Sequence, residues 1–294
     1  MINRNLAEQI TATVIIPTTG DRKSVLKYSI SSVLRQSIKD LECFVIGDGV
    51  DASTDDFLTN LCAGDPRLSY FPHKKHPRRG EEYRHHALNA ANGRIVCYLC
   101  DRDLMLAHHV EHCSQLLKEH DIAVSMGYSI DTDNIPRFLS REFFGSKQVT
   151  SSVHINPDFQ LSTVAHTLDA YRKLPHGWRT TPQNQFTDRF MWKQFLAQDN
   201  CRIISSPNPT LLYFKRGNHP GLSSRLRAKE LKKWHPAIHS DEEMQFIHQS
   251  AITDEILQRS ELRKKMSMCP ILIFGKSPSE LITILARRAK SWKL

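Results

Sequence analysis

Short β-branched apolar runs alternate with segments of helical period, and this alternation limits the folds open to the chain more than any other feature. Residues 13–16, 43–46 and 95–99 form apolar runs of strand length, whereas residues 26–34 and 83–91 repeat apolar side chains at helical spacing. Strands that alternate with helices imply βαβ units around a mostly parallel sheet. The sequence therefore predicts an α/β, Rossmann-like fold in which helices flank a central sheet.

Polar side chains follow each predicted strand. Thr18 and Asp21 come after the first strand, Asp48 after the second, and Asp101 and Asp103 after the third. Ligands of open α/β sheets bind beyond the carboxyl ends of the strands. We expect these side chains to converge on one rim of the sheet, where they would form a nucleotide-type site.

The pair Asp101 and Asp103 is the strongest chemical signal in the chain. Two carboxylates leave the end of a buried strand with no lysine beside them. Hard oxygen ligands of this kind suit a divalent cation, and metal-assisted handling of a diphosphate is common work for such an ion. Acidic pairs also occur in ordinary turns and helix caps. The polar residues after the two earlier strands are what favour a metal site here.

Length and charge indicate one large domain with a basic appendage. The chain has 294 residues and a net charge of +9, with a surplus of Lys and Arg after Gly221. We expect a domain over residues 1–220 and a basic helical extension over residues 221–294. No apolar run reaches the roughly 20 residues that a membrane span needs. The first nine residues lack a signal-peptide core, and the seven cysteines fit reduced cytosolic thiols, so we expect a cytoplasmic protein.

The last segment is amphipathic and basic. Residues 281–292 place apolar side chains at helical spacing and add Arg287, Arg288 and Lys290. Such a helix can lie on the inner face of the cell membrane, although packing on the preceding domain is the commoner fate of such helices.

Four sequence blocks, taken together, resemble a known family. Residues 13–19, 32–37, 42–51 and 98–103 come in this order within a stretch that extends from about residue 11 to residue 221. They are similar to the inverting GT-A glycosyltransferases of family 2, a group that builds bacterial polysaccharides from nucleotide sugars. The resemblance implies a GT-A fold, a nucleotide-diphosphate sugar as donor, with UDP the more frequent carrier, and a Mn²⁺ or Mg²⁺ ion.

The resemblance also implies roles for residues near the nucleotide. Thr18 and Asp21 would lie by the nucleoside, and Asp48 would receive the base. Arg84 matches the arginine of an Arg-Asn pair in the family, although His85 stands where the asparagine is expected.

The metal ligands follow from the same comparison. Asp101 and Asp103 match the family's Asp-x-Asp motif, and Asp101 would contact the nucleotide as well. Arg102 stands where many members have a third acidic residue. His219 lies where family members often have a histidine that approaches the metal or the diphosphate.

Inverting transfer needs a base on the acceptor side, where the family has a Glu-Asp pair at the start of a helix. Thr187-Asp188 fits this place, and we expect Asp188 to deprotonate a glycan or lipid-linked acceptor in surface polysaccharide synthesis. Asp188 could instead be a helix N-terminal acid that favours the macrodipole. Upstream, residues 162–174 look helical with Ser162 as the cap. Trp178 and His166 are weaker candidates for acceptor contacts, and a position in the core is the commoner outcome for both residue types.

A zinc hydrolase is the first alternative. His108, Glu111 and His112 satisfy the pattern His-x-x-Glu-His, in which two histidines bind zinc and the glutamate activates water. Short patterns of this kind arise easily in a chain with 15 histidines.

A nucleic-acid-binding protein is the second alternative. The overall charge and the basic cluster at residues 73–79 could serve phosphate contacts. No RNA-binding signature or interleaved aromatic pattern accompanies the cluster, so we expect no nucleic-acid partner.

Overall fold

The structure is a computed structural model that describes residues 10–139, 157–214, 222–267, 276 and 278–291, although in the last helix the side chains of residues 279 and 287–291 are outside the description. Its strands are β1 (Ala12–Gly20), β2 (Leu41–Val50), β3 (Leu68–His73), β4 (Ile95–Tyr98), β5 (Leu104–Met105), β6 (Ile122–Ile130), β7 (Pro136–Phe138), β8 (Val164–Thr167) and β9 (Ile203–Phe214). Its α-helices are α1 (Lys23–Leu34), α2 (Ala52–Gly64), α3 (Glu81–Asn89), α4 (His109–Leu116), α5 (Leu168–Arg172), α6 (Thr187–Leu196), α7 (Ser224–Ala237), α8 (Asp241–Ser267) and α9 (Pro278–Ser291).

The strands form one mixed sheet in the order β3-β2-β1-β4-β8-β6-β9-β5, with β7 paired to β6. The first four strands in the chain pair in parallel, and β9 is parallel to β6. Only β8 separates the two parallel groups, since it is antiparallel to both β4 and β6. The prediction of a mostly parallel α/β sheet with flanking helices is confirmed.

Both faces of the sheet are buried, which explains why its strands read as continuous apolar runs. Ile15 and Val96 point into one core cluster, and Val14, Ile16 and Cys97 point into the other. Neighbouring residues of a strand face opposite sides, so each parallel strand needs apolar side chains at nearly every position. The ends of these strands are therefore fixed in space.

The prediction of a helix over residues 162–174 is wrong at its start. Residues 161–163 form a 3₁₀ turn, and Val164–Thr167 pair as a strand between β4 and β6. The helix begins only at Leu168, because the Thr167 side chain accepts a hydrogen bond from the Ala170 N–H at 3.1 Å and acts as its cap. Ser162 lies instead beside Asp103.

Helices α7 and α8 pack on the sheet domain. Leu231 and Trp234 of α7 share a third core cluster with Val25 of α1. Further along, the Tyr128 hydroxyl lies 2.7 Å from Nδ1 of His248 on α8. Among the described residues, no helix combines the length and the apolar character required to cross a bilayer.

Candidate functional site

Three loops meet at the carboxyl ends of the parallel strands, as the topology requires. The Thr18 hydroxyl at the end of β1 donates a hydrogen bond of 3.1 Å to Oδ2 of Asp101, which follows β4. The Thr19 hydroxyl donates to the backbone carbonyl of Asp48, in β2, at 2.6 Å. The structure thus brings Thr18, Asp48 and Asp101 together on one rim.

Two arginines flank Asp101. Nε of Arg22 lies 3.4 Å from Oδ2, and Nη1 of Arg102 lies 3.9 Å from Oδ1. Nε of Arg102 also donates to the carbonyl of Phe214 at 3.0 Å, which fixes its guanidinium between two parts of the rim. This positive surrounding can attract an anionic ligand.

Asp103 is fully buried and is held at both of its oxygens. The Ser162 hydroxyl donates to Oδ2 at 2.6 Å, and the Phe214 N–H donates to Oδ1 at 3.1 Å. Burial raises the pKa of Asp103 to about 6, although Arg102 and the two hydrogen bonds oppose this shift. Ser162 was not identified from the sequence as a site residue, since a serine that orients a carboxylate 59 residues away leaves no local pattern.

The carboxylates of Asp101 and Asp103 have the chemistry that a divalent cation requires. Both supply hard oxygen ligands, and each oxygen keeps a lone pair beyond its present hydrogen bond. The bonds from Thr18, Ser162 and the Phe214 N–H would then be the outer contacts that orient metal ligands. This donor set fits Mg²⁺ or Mn²⁺.

The Asp48 carboxylate is engaged by the loop at residues 74–80. Nζ of Lys75 forms an ion pair with Oδ2, and the His76 N–H donates to Oδ1 at 2.5 Å. Gly49 has a φ of +65°, and a Cβ built there would lie 2.6 Å from Cβ of Lys75. Only glycine allows the loop to approach this closely, so a ligand that reaches Asp48 must compete with Lys75.

Asp21 lies further out than the other predicted nucleoside contacts. Its side chain is exposed, and its backbone carbonyl accepts a hydrogen bond of 2.6 Å from the Ser224 hydroxyl at the start of α7. The first loop of the rim therefore touches the C-terminal helical region.

Arg84 is a buried cation with unused donors. Its Nη2 donates to the Arg79 carbonyl at 2.8 Å, but Nε and Nη1 are buried and have no hydrogen-bond partner among the described residues. Burial lowers the pKa of Arg84, while Asp188 and Glu81 oppose this shift. A buried guanidinium with free N–H groups is suited to an anionic ligand group such as a phosphate.

Asp188 lies in the first turn of α6, where its carboxylate interacts electrostatically with Arg84 and Arg79. Burial raises its pKa, and Arg84 followed by Arg79 lower it. The nearby Leu161 backbone also lowers the pKa of this carboxylate. Burial makes this carboxylate a better proton acceptor than an exposed aspartate, which is what a general base requires.

Trp178 and His166 are core residues, although the sequence left an acceptor contact open for both. Nε1 of Trp178 donates to the Tyr98 hydroxyl at 2.9 Å, and that hydroxyl lies 2.8 Å from Nε2 of His166. All three side chains are buried, and burial lowers the pKa of His166 to about 4. The neutral imidazole lies 3.0 Å, through Nδ1, from the Thr167 carbonyl. Tyr98 is the last residue of β4, so this network stabilises the strand end that leads to Asp101.

The candidate zinc hydrolase residues do not converge. Nε2 of His108 lies 3.3 Å from the Pro209 carbonyl, Nε2 of His112 lies 2.8 Å from the Ser206 hydroxyl, and Glu111 accepts from Ser37 at 2.9 Å. Among the described residues, the ligand atoms that do cluster belong to the buried Cys97, His109 and Cys113. Structural zinc takes four ligands, and in this group Nδ1 of His109 already lies 2.8 Å from the Thr210 hydroxyl.

The basic cluster at residues 73–79 is largely committed to contacts within the chain. Lys75 pairs with Asp48, and Arg78 donates to backbone carbonyls of residues 181, 182 and 185. Such contacts leave less of the cluster free for nucleic-acid phosphates than its composition suggests. His219 lies outside the described residues.

The comparisons with known proteins agree with this architecture. The family model described as "Glycosyl transferase family 2" matches residues 13–177. The crystal structure of S. aureus TarS 1–349 in complex with UDP-GlcNAc has a TM-score of 0.57 at 14% identity, and covers 82% of this chain and 70% of that chain. The mannosyltransferase PcManGT from Pyrobaculum calidifontis, in complex with GDP-Man and Mn²⁺, has a TM-score of 0.51 at 14% identity, and covers 96% of this chain and 81% of that chain. Among curated proteins, none matches this chain. At these identities the structural matches establish the fold, which is GT-A.

Proposed function

Because this chain belongs to glycosyl transferase family 2, we propose that it is a metal-dependent, inverting glycosyltransferase. It moves a sugar from a nucleotide-diphosphate donor, preferably a UDP-sugar, to a glycan or lipid-linked acceptor in surface polysaccharide synthesis. The observation that carries this proposal is the meeting of Asp101, Asp103, Asp48 and Thr18 at one rim, with Asp188 facing the same charge cluster.

The rim offers a separate contact for each part of a nucleotide sugar. Asp48 can accept hydrogen bonds from a base once Lys75 is displaced, and Thr18 and Asp21 flank the nucleoside. Arg84 can donate to the sugar donor through Nε and Nη1, which lack a partner within the described ranges. The complexes of TarS with UDP-GlcNAc and of PcManGT with GDP-Man support a donor of this class.

Asp101 and Asp103 would hold a Mn²⁺ or Mg²⁺ ion, and His219, which lies outside the described residues, is a further candidate ligand. When bound, the ion supplies positive charge that offsets the charge developing on the departing diphosphate. The complex of PcManGT contains Mn²⁺, which supports a divalent ion here.

Asp188 accepts the proton of the acceptor hydroxyl in this mechanism. The acceptor oxygen attacks the anomeric carbon from the side opposite the diphosphate, so a single displacement inverts that centre. Burial raises the pKa of Asp188, which strengthens it as a base, and Arg84 keeps it ionised. No second carboxylate is needed for the leaving group, because the diphosphate departs as an anion.

We further propose that the transferase domain spans residues 1–220 and that the extension at residues 221–294 brings it to the cytosolic face of a membrane. Helix α9 exposes Ile282 and Leu285, and the same segment contains Arg287, Arg288 and Lys290. Exposed apolar side chains in a segment of basic sequence suit a membrane surface with anionic lipid headgroups. Flotation with anionic and neutral vesicles tests this part, since only the anionic vesicles should carry the protein upward.

A thermal-shift panel tests the donor class. UDP, GDP, CDP and ADP are each added with Mn²⁺ and with EDTA. We expect one diphosphate, preferably UDP, to raise Tm in the presence of Mn²⁺ only. If no nucleotide raises Tm under either condition, the proposed function is wrong.

A further inference from the structure

The loop at residues 74–80 contacts both halves of the candidate site. At one end Lys75 and the His76 N–H engage the carboxylate of Asp48 on the donor side. At the other end Arg78 reaches the segment at residues 180–188, which leads into α6 and carries Asp188. A single short loop therefore connects Asp48, which we assign to the nucleobase of the donor, with the segment that carries Asp188, the candidate general base.

Arg78 is bonded to this segment through three backbone carbonyls. Its Nε donates to the Thr181 carbonyl at 3.0 Å, and its Nη2 donates to the carbonyls of Pro182 and Gln185 at 3.1 and 3.3 Å. Residues 179–186 have no regular secondary structure. The planar guanidinium has several donors in fixed directions, so it can satisfy the backbone carbonyls of this irregular segment and stabilise its conformation.

The buried Glu81 side chain binds the same segment. Its side chain is fully buried, and Oε1 accepts from the Thr187 hydroxyl at 3.3 Å and from the Thr181 N–H at 3.4 Å. Its Oε2 accepts from the Arg79 N–H at 3.0 Å. Burial raises the pKa of Glu81, but the backbone and Thr181 bonds outweigh burial and keep that pKa below its ordinary value. The ionised carboxylate therefore joins the start of α3 to the start of α6.

From these contacts we infer that Arg78, supported by Glu81, is a positioning residue for the acceptor side of the reaction. It holds the segment at residues 180–188 in one conformation, and this fixes the position of Asp188 relative to the donor site. Arg78 itself need not touch either substrate. The catalytic part of this inference rests on the proposed function, whereas the positioning part concerns only the fold.

Amide hydrogen exchange of the unliganded full-length chain tests the positioning part. In Arg78→Gln, amides of residues 180–188 should exchange about tenfold faster, the order expected when one or two hydrogen bonds are lost. Glu81→Gln should have the same local effect. Arg78→Lys should give an intermediate exchange rate, because lysine keeps the positive charge but lacks the several donors of the planar guanidinium. The matched control is Lys74→Gln, which removes the same charge from the same loop at an exposed side chain. Unchanged exchange at residues 180–188 in Arg78→Gln, or an equal rise in every peptide, would overturn the inference.

The pH profile of donor hydrolysis tests the catalytic part, with UDP-GlcNAc and GDP-mannose as probes. If the segment loosens in Arg78→Gln, Asp188 gains water, its pKa falls, and the acidic limb of kcat moves to lower pH while the donor KM stays within about twofold. A lower kcat with the limb in its wild-type place would overturn the catalytic role. Failure of the wild-type chain to bind any nucleotide would contradict the proposed function, and the exchange result would still decide whether Arg78 positions the segment.

Discussion

The guanidinium carbon of Arg84 lies 4.7 Å from the centre of the Trp178 ring, and the indole N–H of Trp178 is in turn fixed by the Tyr98 hydroxyl. Arg84 therefore rests on a fixed aromatic surface, where the residue is 5% exposed and two of its donors have no hydrogen-bond partner in the described part of the chain. This placement sets the positive charge that Asp188 feels most strongly. The acidity of the candidate base and the binding of an anionic donor thus depend on the same side chain.

Replacing Arg84 should make the candidate base harder to ionise. Arg84 is the leading charge that lowers the pKa of Asp188, so Arg84→Gln should raise that pKa and move the acidic limb of the pH–rate profile to higher pH. Donor hydrolysis measured between pH 5 and pH 9 provides the profile. The matched control is Arg202→Gln, an exposed arginine paired with Asp121. A limb that stays in place, or moves to lower pH, would contradict the assignment.

Asp188→Asn should lower sugar transfer by at least about 10²-fold, the low end of general-base contributions. The amide keeps the size of the side chain but cannot take the proton. Nucleotide affinity, measured by calorimetry, should remain close to that of the wild type because we assign Asp188 to the acceptor side of the reaction. Turnover equal to the wild type would remove Asp188 from the mechanism.

Metal-supported nucleotide binding should weaken as the pH falls through about 6. Burial raises the pKa of Asp103 to about 6, so protons compete with the metal for this carboxylate below that pH. Calorimetric titration with UDP and Mn²⁺ at pH 5.5 and pH 7.5 measures the effect. Asp103→Asn should lose the metal contribution at both pH values, whereas Asp56→Asn, an exposed carboxylate on α2, should behave as the wild type. Equal metal-dependent affinity at both pH values would speak against Asp103 as a ligand.

The buried His166 should make the fold acid-sensitive. Its pKa is about 4 in the folded chain, below the ordinary value of 6.5, because burial disfavours the charged ring. The unfolded chain therefore binds the extra proton first, and the stability that this group contributes is full above pH 6.5 and is lost as the pH falls toward 4. The loss is about 3 kcal/mol for such a shift. Tm measured by circular dichroism should fall more steeply over this range in the wild type than in His166→Gln, and identical slopes would contradict the account.

Strands β1, β2 and β4 could be predicted from the sequence because each is buried on both faces. Val14, Ile15 and Ile16 face alternate core clusters, so burial leaves an apolar run that can be read directly. The rim followed from topology alone, since parallel strands end at a common edge and place Thr18 beside Asp101. The general position of the site was therefore predictable.

The supporting contacts could not be predicted, because they join residues far apart in the chain. Ser162 reads as a helix cap, and only the pairing of β8 between two other strands brings its hydroxyl to Asp103. Glu81 and Thr187 are separated by 106 residues, and neither belongs to a pattern that points to the other. The basic loop was misleading for the same reason: its composition indicates phosphate contacts, whereas Arg78 binds the backbone of Thr181, 103 residues further along the chain.

Calorimetric titration of UDP and GDP into the wild-type chain and into Asp101→Asn, each with Mn²⁺ and with EDTA, tests the central claim most directly. The account predicts that one nucleotide binds the wild type with an affinity at least about tenfold higher in Mn²⁺ than in EDTA, and that Asp101→Asn loses this difference. Binding that is absent under every condition, or that is equal with and without the metal, would contradict a metal-assisted nucleotide-sugar site at this rim.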